Sequence, residues 1–265
     1  MTRRIGLLLP AAVLAAFLAL PVATLVGRAL GGELLDALGS RTVRDALALS
    51  LVTTAVSLAI TVLVGTPLAF LLARRRFRGA GLLELVIDLP LVLPPSVAGL
   101  ALLLVLGRRG LLGDSLDAVG LAIPYTSIAV VVAQVFVAAP FYVRSARAGI
   151  VGLPRDLEDA ARVDGATEFG VFRHVMLPLA GPLLAAGLVM SWARALGEFG
   201  ATILFAGNIA GRTQTLPLVV YAEFQAGHVE AAIAAAAVLV LAAVGVLGGV
   251  RLSRRGRAFD AASVA

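Results

Sequence analysis

Six stretches of this 265-residue chain are apolar for long enough to cross a lipid bilayer, and that constrains the fold before anything else. A span takes about 20 residues at a rise of about 1.5 Å each. The stretches lie near residues 5–27, 45–73, 83–106, 122–143, 178–205 and 229–250. The expected fold is therefore all-α: a polytopic membrane protein of six transmembrane helices, one domain over 1–265 with its core at about 45–250. The first stretch follows Arg3 and Arg4 as a cleaved leader would. Pro10 and Pro21 interrupt it, however, and further spans rather than a soluble domain follow, so a retained helix is expected.

Composition narrows the class. Charged residues are 14% of the chain, against roughly a quarter in soluble domains. With no cysteine there is no disulfide, thiol nucleophile or thiolate metal site. The two histidines, His174 and His228, are far apart, which disfavours a zinc or haem centre. All 22 basic residues are arginine, and they flank the apolar spans. Lipid headgroups and an acidic partner face, not nucleic acid, are the expected contacts. Fifteen arginines fall on one side of the spans and six on the other, with Arg194 inside a span. By the positive-inside rule both termini and the loop 153–178 are expected in the cytoplasm, and 251–265 forms a basic tail at the lipid surface.

That loop, LPRDLEDAARVDGATEFGVFRHVMLP, is the longest segment that lipid cannot accept. Pro154 suits the first turn of a helix, and Asp156, Glu158 and Asp159 follow at the positive end of its dipole. Ala160 and Ala161 are small enough for another surface to approach the backbone. Gly165 is the expected C′ residue, and Thr167 the cap of a second short helix ending at Leu177-Pro178.

Asp159-Ala160-Ala161, three residues, Gly165, nine residues, Val175, one residue and Leu177-Pro178 resembles the Glu-Ala-Ala loop of permease subunits in ATP-binding-cassette (ABC) importers, E-A-A-x3-G-x9-I-x-L-P. Asp replaces the usual Glu and Val the usual Ile; Glu158, just upstream, is placed to share the acidic role. In that family the loop forms coupling helices that dock into a cleft of the cytoplasmic ATPase. An ordinary amphipathic loop is the alternative, and the combined spacing speaks against it.

Two spans carry residues that lipid alone does not explain. Pro90, Pro94 and Pro95 interrupt the third, because each removes an N–H and crowds the carbonyl four residues back. The break falls about 18 Å along the span and should face protein or water. A half-helix starting at Ser96 would offer free N–H groups to an anion; a kink needed only for packing is the equal alternative. The fifth span holds Arg194 and Glu198, four residues apart and so on one helix face. They read as an outer gate or lining, or as a packing ion pair that fixes helix rotation. Outside, Gly107-Arg108-Arg109-Gly110 defies the charge rule, and the turn-rich 207–217, with Asn208 and Arg212, offers a second polar surface. Both are candidate contacts for a binding protein, or solvated turns.

Residues 88–113, 193–217 and the loop resemble, within the importer family, molybdate or tungstate permease subunits, with sulfate permeases as near relatives. The resemblance implies a type I importer permease acting as a homodimer. It also implies a cytoplasmic ATPase dimer and an extracytoplasmic oxyanion-binding protein. The chain has no G-x-x-x-x-G-K-[ST] loop, so ATP and magnesium belong to the partner ATPase and this subunit is expected to be non-catalytic. A secondary transporter would need more intramembrane carboxylates than Glu198 and Asp88 supply.

Overall fold

The computed structural model describes residues 2–31, 33–75 and 77–262, with side chains from residue 8 to residue 248 apart from 32, 33 and 76. The backbone of 251–262, within the expected basic tail at 251–265, continues the last helix, while the side chains of that tail and of Arg3, Arg4 and Arg76 lie outside what is described. The described residues form helices α1 (Thr2–Leu30), α2 (Glu33–Gly39), α3 (Arg41–Arg74), α4 (Ala80–Val92), α5 (Pro95–Leu106), α6 (Gly113–Ala118) and α7 (Ser127–Val151). There follow α8 (Arg155–Val163), α9 (Glu168–Val171), a π-turn (Phe172–Met176), α10 (Leu177–Leu196), α11 (Gly200–Phe205), α12 (Leu216–Gln225) and α13 (Val229–Ala262). Five helical stretches among them are long and apolar enough to span a membrane.

The remaining expected span, 83–106, is divided between α4 and α5, with Leu93 and Pro94 extended between them. Pro90 is tolerated inside α4, and the second half-helix begins at Pro95, one residue before the expected Ser96. The fourth span starts later and runs further than 122–143. Pro124 and Tyr125, whose φ is 60°, hold the chain out of helix, and Thr126 caps α7 by accepting from Ala129 N. Arg144 and Arg147 ride on the last turns of α7, where they pair with Asp88 and Glu84 of α4. The fifth differs most. The second short helix does not end at Leu177-Pro178; it runs on into α10 through the π-turn, where Leu177 N–H donates to Phe172 O, five residues back. Proline has no N–H to give, and the wider turn lets the helix continue past it. The same span then breaks at 197–199, so 178–205 is not one continuous helix.

The chain divides into two compact units. One comprises Met1–Ala48 with Gln214–Ala265. Its core joins Val43 and Ala46 to Leu216, Val219, Ala235 and Val238. Arg28 pairs with Glu230 at its surface, and His228 pairs with Glu223 rather than with nearby Glu230. The apolar face of α1 has no cover: Leu8–Leu30 is exposed almost throughout, as a lipid-facing helix is.

The other unit, Leu49–Thr213, is built around α7 and α10. Within lipid there is little hydrophobic drive between helices, so association relies on close packing of small residues and on interhelical hydrogen bonds. Gly187 packs at Ser145, where an added Cβ would come within 2.6 Å of the serine Cβ. Ser145 donates to Leu183 O at 2.7 Å and Ser191 to Ala138 O at 2.9 Å. One core gathers Ala129 to Ala138 of α7 with Ala98, Ala201 and Phe205; the other gathers Tyr142 to Ile150 with Val171, Met176 and Ala180.

Candidate functional site

The loop 153–178 folds as an elbow. Helix α8 ends at Val163, and Gly165 adopts φ 87°, the left-handed conformation that stops a helix without the Cβ penalty. Ala166 N then reaches back to Ala161 O at 2.9 Å. Thr167 caps α9, accepting from Gly170 N at 3.1 Å. Pro154 is the residue before the first turn, not within it. Asp159 and Ala160 face outward, while Ala161 packs partly into the second core. Leu177 and Pro178 are exposed on the first turn of α10. Leu157, Val163 and Phe169 project apolar side chains into solvent, Val163 being 86% exposed.

Glu158 does not share an outward acidic surface with Asp159. It is turned inward, 5% exposed, and its carboxylate pairs with Arg74 at the end of α3, itself 10% exposed. Arg74 also donates to Leu153 O at 3.3 Å. The elbow is thus tied to a membrane helix by a buried ion pair. Arg162 ties its two arms together, donating to Asp159 at 2.7 Å and to Glu168 at 2.8 Å. The Glu168 bond, and after it the Asp159 bond, pushes the Arg162 guanidinium further toward its protonated form. The sequence marked Arg74 only as a basic flank of a span; nothing in its spacing joins it to residue 158.

The interrupted third and fifth spans meet at their breaks. Gly99 lies against the backbone of Ala201, and Gly200 against Pro95 and Ser96, each too close for a Cβ. The structure therefore brings Pro95 and Ser96 together with the segment that holds Arg194 and Glu198. Pro94, Pro95 and Ser96 remain exposed. Arg194 and Glu198 do pair, at 2.5 Å, yet not along one continuous helix. Glu198 lies beyond the end of α10, fully buried, and its second oxygen accepts from Ala201 N at 2.6 Å to cap α11. Helix spacing alone misses this second partner.

Deeper in the same unit, α3 buries Ser50, Thr53, Thr54, Ser57 and Thr61 along one helical stripe. Gln134 of α7 donates to Thr54 Oγ1 at 3.3 Å, while Gln134 Oε1 is buried with no partner. The recurrence of hydroxyl residues every three or four positions in an apolar run is the sequence signature of this polar seam, a signal distinct from the charges and prolines that mark the other sites.

The two separate arginine surfaces prove to be one. Arg108, Arg109 and Arg212 line a single pocket of about 640 Å³ together with Tyr125 and Thr126. Asn208 lies on the adjoining turn and is not among the lining residues.

Over residues 65–256 the chain matches the family described as the binding-protein-dependent transport system inner membrane component. It belongs to that family: it is a multi-pass membrane protein, the permease subunit of an ABC importer. It is 44% identical over 207 residues, 78% of each chain, to the molybdenum transport system permease protein ModB of Mycobacterium tuberculosis. It is 39% identical over 180 residues, 68% of this chain and 65% of the other, to the sulfate transport system permease protein CysT of Salmonella typhimurium. Among solved structures it is similar to a bacterial ABC transporter involved in the import of the acidic polysaccharide alginate. That match has a TM-score of 0.75 at 20% identity, covering 95% of this chain and 94% of that one. A likeness at that identity concerns the fold.

Proposed function

We propose that this chain is the non-catalytic pore subunit of an importer for molybdate or tungstate, working as a homodimer. It sits in the cytoplasmic membrane with both termini inside, on a cytoplasmic ATPase dimer that binds ATP and magnesium. An extracytoplasmic binding protein delivers the oxyanion to the face bearing Arg108, Arg109, Asn208 and Arg212. The observation that carries this reading is the elbow 153–178, with Gly165 at φ 87° and apolar side chains exposed at Leu157, Val163 and Phe169 beside Asp159 and Ala160. Unsatisfied apolar surface beside small residues suits insertion into a partner cleft. Closing of the ATPase would move the elbow, and through Glu158 and Arg74 the end of α3. The interrupted spans at Pro94, Pro95, Ser96, Arg194 and Glu198 supply a non-helical stretch that belongs beside a path, since unpaired backbone is excluded from lipid.

Greater identity to the molybdenum permease than to the sulfate permease supports molybdate over sulfate. The test is uptake by proteoliposomes holding the permease, its ATPase and its binding protein. Labelled molybdate should accumulate only with ATP inside. Accumulation of sulfate in preference to molybdate contradicts the assignment of cargo, and accumulation without ATP contradicts the importer mechanism.

A further inference from the structure

The pocket beyond the C-terminal end of α5 is built from segments far apart in sequence. Arg108 and Arg109 lie on a turn that folds back on α5, with Leu111 N donating to Leu104 O and Leu112 N to Val105 O, each at 2.9 Å. Arg212 comes from the turn after α11, which Thr213 closes by accepting from Ile209 N at 3.0 Å. That turn is pinned to the start of α7, where Ser127 Oγ donates to Arg212 O at 2.7 Å. Tyr125 completes the wall, held at φ 60° with its ring against Gly207, where a Cβ would come within 3.0 Å of it. The backbone that carries the three arginines is therefore fixed by hydrogen bonds on both sides.

Among the described residues none of these three guanidinium groups takes part in an ion pair, and no carboxylate lines the pocket. Elsewhere in this unit Arg74, Arg144, Arg147, Arg162 and Arg194 each have an acidic partner, whereas these three share one cavity without one. Three like charges around one cavity repel each other, the more so where low ionic strength leaves them unscreened. An anion of matching charge relieves that repulsion. Guanidinium forks fit the oxygens of a tetrahedral oxyanion, and several together favour a dianion over chloride. The Thr126 hydroxyl is already occupied, donating to Ile123 O at 2.6 Å and accepting from Ala129 N. Recognition here therefore rests on charge and oxygen geometry.

We propose that Arg108, Arg109 and Arg212 form a binding site for a doubly charged tetrahedral oxyanion, a staging point for the transported ion. The identity of the ion as cargo rests on the importer reading above; the presence of the site does not. A phospholipid phosphate shares the chemistry, and the test separates the two sources.

The full-length chain, in nanodiscs of phosphatidylcholine, is titrated with sodium tungstate in a calorimeter. The wild type should bind saturably. The R108Q/R109Q/R212Q variant should bind at least about a hundredfold more weakly or not at all, since each of the three lost charge-assisted contacts is worth up to about tenfold. Replacing all three by lysine keeps the charge and loses the forks, and should give an intermediate affinity. Because the arginines are exposed, R212Q alone gives a second, milder reading. No binding by the wild type, or equal binding by the glutamine variant, overturns the site. Binding that persists when the discs contain phosphatidylglycerol assigns the pocket to the free ion. Binding abolished there assigns it to lipid phosphate and overturns the staging role. The titration is read on this chain alone, so it can fail while ATP-driven uptake succeeds, and the reverse.

Discussion

Gly200 and Pro95 approach so closely that no side chain fits between them. A Cβ on Gly200 would lie 2.7 Å from the Pro95 Cβ and 3.2 Å from the Ser96 nitrogen. Gly99 repeats the relationship one turn on, where a Cβ would meet the Ala201 carbonyl oxygen at 2.6 Å. The two interrupted spans are thus held backbone to backbone at their breaks. Gly99→Ala and Gly200→Ala should each destabilise the protein by about 1–3 kcal/mol, the usual range for overpacking a close contact. Gly181→Ala, with nothing within 4 Å of its added Cβ, should not. Thermal unfolding in detergent measures the difference, and equal midpoints for all three would refute the close junction.

Glu198 has two partners, and they answer differently to mutation. Exchanging the charges in R194E/E198R restores a pair but leaves Ala201 N without the acceptor it has now. The exchanged variant should therefore remain defective in uptake and stability. Glu198→Gln keeps an acceptor for Ala201 N and should retain more of both than Glu198→Ala. Removing one member of a buried pair costs about 3–5 kcal/mol, which sets the scale for the alanine variant. Full recovery in R194E/E198R would show that charge pairing alone matters here.

The Arg74–Glu158 pair anchors the elbow to α3. Arg74→Ala and Glu158→Ala each strand a buried charge, again on the scale of about 3–5 kcal/mol. Since the loss is local, backbone amides of α8 should exchange with deuterium faster while those of α7 do not. In the assembled transporter, ATP hydrolysis should persist as uptake falls. Unchanged exchange in α8 would contradict the anchoring role.

Much of this was readable from sequence because some residue types permit few structures. Pro94 and Pro95 forbid a continuous helix, and the third span does break there. Gly165 at the end of an amphipathic segment announces a left-handed stop, and φ is 87°. What sequence did not reveal depends on pairs brought together by packing. Glu158 looks like a surface acid beside Asp159, and only the position of Arg74 turns it inward. The break at Glu198 was hidden because Arg194 and Glu198 have helical spacing, which the chain uses for an ion pair across a helix end. Likewise Arg108 and Arg212 share a pocket through tertiary structure that no local pattern encodes.

Gly165→Val places a β-branched residue where φ is 87°. The left-handed conformation costs about 1–2 kcal/mol for an ordinary L-residue and more for a branched one. The elbow should lose its angle while the spans remain folded. Uptake should fall several-fold with basal ATP hydrolysis retained, giving fewer ions moved per ATP. A wild-type ratio would mean that the elbow's angle is immaterial.

On the importer reading, the elbow 153–178 transmits movement from a separate ATPase. Because the chain has no cysteine, Val163→Cys introduces a unique thiol at a residue 86% exposed. Crosslinking of that thiol to the ATPase in assembled transporter, with and without ATP, reports whether the elbow meets the ATPase and moves with it. The crosslink should form, its yield should change on ATP binding, and impermeant maleimide should reach the thiol only from the cytoplasmic side. A thiol labelled from outside the cell, or one that never joins the ATPase, would contradict that reading.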